Sequence, residues 1–313
     1  MARYFITGAA GFIGSHLTRF LLAQGHAVTG FDNLRTGRRE ALGPCLRDIN
    51  FIVGDIQDHA LLAKSMVHAD YVVHLAALSG VPACSKDPAL AHAINVYGTT
   101  QVFHVARTTP TVQRVIYASS AAIYGTRNTT HLHEDLPHRP SSAYGATKAI
   151  DELWAEAMRQ EFGQDIVGLR FFNVYGPGQD PDGGYAAVIP AFVRAVGRGS
   201  PMTIEGDGLQ VRDFIHVSDV AQACTLFSSA PILNHSIYNI GTGEPTSVLD
   251  LAHCLIQNTD AKSGIVHVAA RPGDIRTAIS NSKRAAADVN FSPNVHLQDG
   301  LRETFASFFS QAA

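Results

Sequence analysis

The sequence predicts an α/β protein: a doubly wound parallel sheet followed by a smaller mixed α/β domain. Three observations carry this. Short β-branched runs alternate with longer helix-period stretches through the first half, a glycine-rich run joins the first strand to the first helix, and after Asn173 the rhythm breaks into turn-rich sequence punctuated by proline. The strand candidates, in order, are "RYFITG", "HAVTGFD", "INFIVGD", "ADYVVHLAA", "QRVIYASS" and "QDIVGLRFFN". Helical periodicity falls between them near 12–24, 58–68, 89–108 and 145–162. That alternation implies right-handed crossovers and a parallel sheet covered on both faces. The expected boundary divides 1–172 from 173–313. Part of 212–241 is expected to return to the first domain, with "FIHVSDVAQA" as the returning strand and helix.

Composition narrows the function. The 313 residues are 46% hydrophobic and 16% charged, which suits a compact globular chain. A net charge of −3 offers no basic field for nucleic acid or an anionic membrane. No run of 18 apolar residues appears, so no membrane span is expected. Glycines interrupt "MARYFITGAAGF" too early for a secretory leader. Cys45, Cys84, Cys224 and Cys254 are scattered without a CxxC pair, so a reduced cytoplasmic setting without a zinc site is expected.

The run "FITGAAGFIGSHL" sets Gly8, Gly11 and Gly14 between a strand and an amphipathic helix, with Asp32 following at the end of the second strand. Glycines let a backbone approach a pyrophosphate, which then rests on the helix N-terminus. Asp32 suits a ribose diol and repels a 2′-phosphate, so the expected cofactor is NAD and the first domain Rossmann-like. Phe12, Ile13 and Asn33 extend this site, and Asp55 with Ile56 is placed to reach the adenine edge.

Tyr144 and Lys148 stand at i and i+4, on one face of a helix. A tyrosine is a poor base at its ordinary pKa. A fixed ammonium beside it favours the phenolate, and a shift of about three units corresponds to about 4 kcal/mol. The pair then makes a general base near neutrality, able to take a hydroxyl proton while hydride leaves the same carbon. Ser120, at a strand end, is placed to hydrogen-bond that oxygen.

GxxGxxG, "HLAALSGV", "NVYGTT", "YASSAAIYG", YxxxK, "RFFNVYGPGQ", "VRDFIHVSDV" and "RPGD" occur in this order along nearly the whole chain. The set resembles the extended short-chain dehydrogenases/reductases that modify nucleotide sugars, and is most similar to the UDP-glucose/UDP-N-acetylglucosamine 4-epimerases. The resemblance implies that Leu75, Ala76, Ala77 and Asn95 line the cofactor. It implies that Asn173, Arg212 and Arg271 contact the diphosphate region, Asp274 the ribose, and Val188, Thr203 and Glu205 the nucleotide. Many relatives carry an aromatic residue where this chain has Glu205. Ala278 matches a gatekeeper beside the sugar's C2 substituent, where alanine leaves room for an acetamido group. The helices near 89–108 and 145–162 match those that pair relatives into homodimers. Supply of sugars for a surface polysaccharide is the implied setting.

Ala121 and Ala122 follow Ser120, where 4,6-dehydratases of this superfamily carry an Asp–Glu pair. Alanine transfers no proton, which favours epimerisation at C4 through a 4-keto sugar. A 4,6-dehydratase and a UDP-uronic acid 4-epimerase stay as alternatives, as does a non-catalytic NAD-binding scaffold. "HLHEDLPH" is read as a solvated loop, Asp180 and Asp182 as turn residues, and "NIGTGEP" as a strand end and turn.

Overall fold

The computed structural model describes residues 1–127, 129, 131–180, 187–257, 263–270 and 275–310. Its main feature is a seven-stranded sheet. From one edge to the other the strands are Ile237–Ile240, Ile166–Phe171, Arg114–Ser120, Tyr71–His74, Arg3–Thr7, Ala27–Asp32 and Asn50–Val53. Every neighbouring pair runs parallel. The chain enters at Arg3–Thr7, winds outward through two strands, then crosses back to Tyr71–His74 and continues the other way. A crevice therefore opens at the carboxyl ends of Arg3–Thr7 and Tyr71–His74, where the winding direction reverses.

The strands read as near-continuous apolar runs because both faces are covered. Phe5, Ile6, Val72, Val73, Val115, Ile116 and Val167 are all fully buried. On one face Leu17, Leu21, Val220, Cys224 and Phe227 come from the helices Phe12–Ala23 and Val217–Ser229. On the other, Leu62, Met66, Val102, Phe103, Ala155 and Met158 come from His59–Met66, Thr99–Thr108 and Ala143–Phe162. Each large aliphatic side chain so buried contributes about 1.5–3 kcal/mol. The chain is thus doubly wound, as expected from the sequence.

A second core gathers Ile189, Phe192, Val193, Met202, Ile204, Leu251, Leu255 and Leu301. Around it lie a four-stranded sheet in the order Thr246–Ser247, Val211–Arg212, Thr277–Ser280 and His131–Leu132, and two two-stranded ribbons. The "FIHVSDVAQA" stretch departs from its expected role. Its strand, Phe214–His216, pairs with Asn173–Tyr175 in a ribbon instead of joining the large sheet, while its helix lies on the Phe12–Ala23 side. The strand that does enter the large sheet is Ile237–Ile240. The 89–108 stretch also differs from one regular helix. It runs as Pro88–Ala91, a π-helical turn over His92–Gly98, and Thr99–Thr108.

The "HLHEDLPH" stretch is solvated in part, as expected, with His131, His133, Asp135 and Pro137 exposed, and turned inward in part. Glu134 is buried, and His138 Nε2 lies 2.7 Å from Glu152. Glu152 stands in the Ala143–Phe162 helix, which Ser142 caps by accepting from the Gly145 amide and Gly163 ends in left-handed backbone. Arg170 grips Glu152 with two nitrogens at 2.9 and 2.7 Å, and Ser119 donates to the same carboxylate at 2.5 Å. Tyr124 extends the network from Arg170 to Asn239 on the edge strand. One buried carboxylate thereby ties two strands to one helix, at Ser119, a single residue behind Ser120.

Burial would raise the Glu152 pKa, but the bonds from Arg170 and His138 pull it down to about 2. Removing Arg170 strands a buried charge. Arg170→Met is expected to cost about 3–5 kcal/mol, read from the urea midpoint. In the wild type, the stability Glu152 contributes is present above its unfolded pKa of about 4.3 and is lost as pH falls toward 2.

Candidate active site

Gly8 follows the first strand in left-handed backbone, φ +72°, and its amide donates to the Phe31 carbonyl at 2.8 Å. A Cβ there would lie 2.8 Å from the Ala76 nitrogen, and one on Gly14 would overlap the Gly8 carbonyl oxygen. The helix begins just after Gly11 with no side-chain cap, so its first amides are left for an anion. Phe12 and Ile13, in its first turn, are half-buried. Asp32 closes the second strand and accepts from the Ala10 and Leu34 amides at 3.0 and 2.8 Å. Burial pushes its pKa up against those two bonds. Asn33 donates to Asp55 at 2.8 Å. Burial alone would raise Asp55, but this bond and those from Gln57 hold it below the usual carboxylate range. Ile56 is buried against Gly98 of the π turn.

The opposite wall of the crevice is the half-buried segment Leu75, Ala76, Ala77. Asn95 is fully buried in the π turn. Its side chain accepts from the Leu78 amide at 2.7 Å and donates to the Leu78 carbonyl and the Thr147 hydroxyl, each at 3.1 Å. Asn95 therefore links the wall to the helix of Tyr144. π turns of this kind recur at functional sites because the extra residue displaces one side chain from the helical register.

Ser120 ends its strand half-buried, and its hydroxyl accepts from the Ala122 amide at 3.2 Å. The short turn Ala121–Tyr124 then packs on the Ala143–Phe162 helix, since a Cβ on Gly145 would lie 2.6 Å from the Ala122 carbonyl. Half-buried Tyr144 begins that helix, and Lys148 is buried one turn on. Lys148 Nζ donates to Asp151 at 3.2 Å, both groups being almost wholly buried. Burial works against the ammonium, but Asp151 and Tyr144 hold its pKa above the ordinary value. The site thus has a lysine kept charged inside the protein, one helical turn from a phenol.

The residues expected to hold substrate are spread over the second core. Asn173 donates from its backbone and side-chain nitrogens to the Asp213 carbonyl, at 3.0 and 2.9 Å. Arg212 and Ala278 are register partners on adjacent strands. Ala278 is buried in a cluster with Ile123, Tyr124, Leu132, Ala149 and Phe172, against which Ala121 also packs. Thr203 and Glu205 point away from the core that holds Met202 and Ile204, beside exposed Val266 and Val268. Val188 opens the helix Val188–Gly197, half-buried. Arg271 and Asp274, like Asp182, lie outside the described residues.

Sequence reading missed several polar groups here. Asp213 is fully buried and accepts from Thr242, Gly243 and Ser280 amides, fixing the turn in "NIGTGEP". Its place inside "VRDF" was the available signal. Thr7, His74 and Thr99 form a buried row beneath the crevice.

A family model described as the NAD dependent epimerase/dehydratase family matches residues 4–241. The chain belongs to that family. Its cofactor is NAD, and the residues present fit it, with a cradle that a Cβ at Gly8 or Gly14 would fill. Among its relatives, the UDP-glucose 4-epimerase of Mycolicibacterium smegmatis is 34% identical over 98% of each chain. Among solved structures, the UDP-N-acetylglucosamine 4-epimerase of Methanobrevibacter ruminantium, in complex with UDP-N-acetylmuramic acid, superposes with a TM-score of 0.93 at 34% identity, covering 99% of each chain. The Thermus thermophilus UDP-glucose 4-epimerase complex with NAD gives 0.88 at 32%, covering 98% of this chain and 99% of that one. Among the described residues no helix is long and apolar enough to cross a membrane.

Gly8→Ala should abolish NAD retention, assayed as nucleotide released on denaturing the purified protein. Gly25→Ala is the control. It also introduces a methyl at positive φ, yet has no neighbour within 4 Å, so it should cost about 1–2 kcal/mol and keep the cofactor.

Proposed function

We propose that this chain is a nucleotide-sugar C4 epimerase of the UDP-hexose and UDP-N-acetylhexosamine type, using Ser120, Tyr144 and Lys148. The observation that carries the reading is the packing of the Ser120 turn, with its two alanines, directly on the helix that bears Tyr144 and Lys148. The 4-epimerase relatives over nearly the whole chain support it.

In this reading Ser120 Oγ holds the C4 oxygen and Tyr144 takes its proton, later returning it. Lys148, anchored by Asp151, sets a fixed positive charge one helical turn from the phenol. NAD, held at the Gly8 and Gly14 cradle and by Asp32, would supply the hydride acceptor and donor for C4. The 4-keto sugar must turn over between the two transfers, and the small side chains of Ala121 and Ala278 leave it room. With no acid at 121 or 122, elimination of water has no proton donor at the position where a dehydratase keeps one.

We assign cofactor contacts to Gly8, Gly11, Phe12, Ile13, Gly14, Asp32, Asn33, Asp55, Ile56, Leu75, Ala76, Ala77, Asn95, Tyr144 and Lys148, within residues 1–172. Substrate contacts fall to Ser120, Asn173, Val188, Thr203, Glu205, Arg212, Arg271, Asp274 and Ala278. The second partner is another copy of the chain. Tyr97, Ile150, Leu153 and Trp154 leave an apolar face of two neighbouring helices exposed, the last three at i, i+3 and i+4 spacing.

Two measurements test this. Proton NMR of the protein with UDP-N-acetylglucosamine and UDP-glucose should show both galacto epimers form, slowed by about 10²–10⁴ in Tyr144→Phe. Ala278→Tyr should suppress the N-acetylated conversion more than the other; a 4-keto-6-deoxy product would sink the epimerase assignment. For the dimer, sedimentation should give twice the 33.5 kDa chain mass, and Trp154→Glu should return a monomer.

A further inference from the structure

We propose that His74 is a positioning residue: as the neutral Nε2–H tautomer it completes a one-way hydrogen-bond chain from the Ala76 amide to the Asn95 carbonyl. That chain locks the cofactor cradle to the π turn whose Asn95 side chain reaches the Tyr144 helix. The role of His74 in turnover rests on the reading of Tyr144 and Lys148 given above; its tautomer and its effect on NAD do not.

The geometry leaves little choice of direction. His74 ends its strand 2% exposed, between two buried threonines. Its Nδ1 lies 2.6 Å from Thr7 Oγ1 and its Nε2 2.9 Å from Thr99 Oγ1. The ring stands edge-on to Phe103, centroids 6.3 Å apart. At one end, the Thr99 hydroxyl donates to the Asn95 carbonyl, four residues back. A carbonyl only accepts, so the Thr99 proton is committed, and Thr99 Oγ1 must accept from the ring. Nε2 therefore carries the hydrogen. At the other end, Thr7 Oγ1 accepts from the Ala76 amide at 3.3 Å. With the hydrogen of the neutral ring on Nε2, Nδ1 is the bare nitrogen and accepts from the Thr7 hydroxyl.

The alternatives each break a bond. The Nδ1–H tautomer sets Nε2 against an oxygen whose proton is already taken. An imidazolium would donate to Thr7 and leave the Thr7 hydroxyl proton without its acceptor. Burial and the nearby Lys148 charge push the His74 pKa down to about 3, in keeping with a neutral ring.

The chain matters because of what it joins. Thr7 immediately precedes Gly8, and Ala76 is the backbone that Gly8 touches. Thr99 holds Asn95, which holds Leu78 and Thr147. Four segments far apart in sequence are thereby set at one spacing: the cofactor turn, the crevice wall, the π turn and the catalytic helix. Hydroxyl and imidazole bonds are strongly directional, so they fix this spacing more narrowly than apolar packing does.

Neutron diffraction from deuterium-exchanged crystals of the holoenzyme at neutral pH tests the direction. A deuteron on Nε2 alone is expected; one on Nδ1, or on both nitrogens, would overturn the proposal. A variant pair tests the role. Thr99→Val keeps the shape but removes the acceptor and the donor, and should weaken NAD affinity of the apoprotein on the order of tenfold. It should also lower kcat with KM held within about twofold, the KM being set by the sugar side of the site. Thr99→Ser restores the hydroxyl and should return NAD affinity to within about twofold of wild type. Unchanged NAD affinity in Thr99→Val, or an equal loss in Thr99→Ser, would assign the threonine to packing and overturn the role given to His74.

Discussion

The close approach of two backbones at the top of the sheet is the constraint on which the rest of the structure depends. Gly8 and Ala76 follow two parallel strands from which the chain winds to opposite sides of the sheet, and they meet with no side chain between them. That contact holds the crevice narrow at the switch point. Gly14, the last glycine of the fingerprint, must also lack a side chain, since a Cβ there would overlap the Gly8 carbonyl oxygen. Cofactor cradle, crevice wall and first helix are three consequences of one steric condition.

Around this condition the protein buries two charge pairs that share one helix. Lys148 has Asp151, and Glu152 has Arg170. Such pairs contribute little net stability, because desolvation offsets most of the attraction. What they supply is position. Consecutive residues Asp151 and Glu152 hold Lys148 and the Ser119 strand respectively, so one turn of helix sets the two sides of the proposed catalytic group.

The large sheet was legible in the sequence because its strands are apolar on both faces and its first turn needs glycine. Both signals are local. Tyr144, Lys148 and Ser120 were legible through spacing and order along the chain. What escaped was non-local. The destination of Phe214–His216 depends on Asn173–Tyr175, forty residues away, and no periodicity encodes a partner. The π turn escaped because "HAINVYG" has an unremarkable helical composition, while the bonds of its Asn95 go to Leu78 and Thr147, well separated in sequence. Glu134 and His138 read as solvated because their string is polar. Glu134 is buried and His138 half-buried because Asn239 and Glu152, remote in sequence, satisfy them.

The π turn sets a limit on how this chain can drift. A π segment is an α-helix carrying one surplus residue, and the bulge absorbs that residue locally. The turns beyond it keep their facing, so Val102, Phe103 and Ala106 still meet the sheet. Were all seven residues from His92 to Gly98 wound as regular α-helix, each residue beyond them would rotate by about 100° about the axis, and polar positions would take the place of these side chains in the core. Losing one of the seven would instead leave the downstream core in register. What such a deletion would cost is the set of bonds from Asn95 to Leu78 and Thr147.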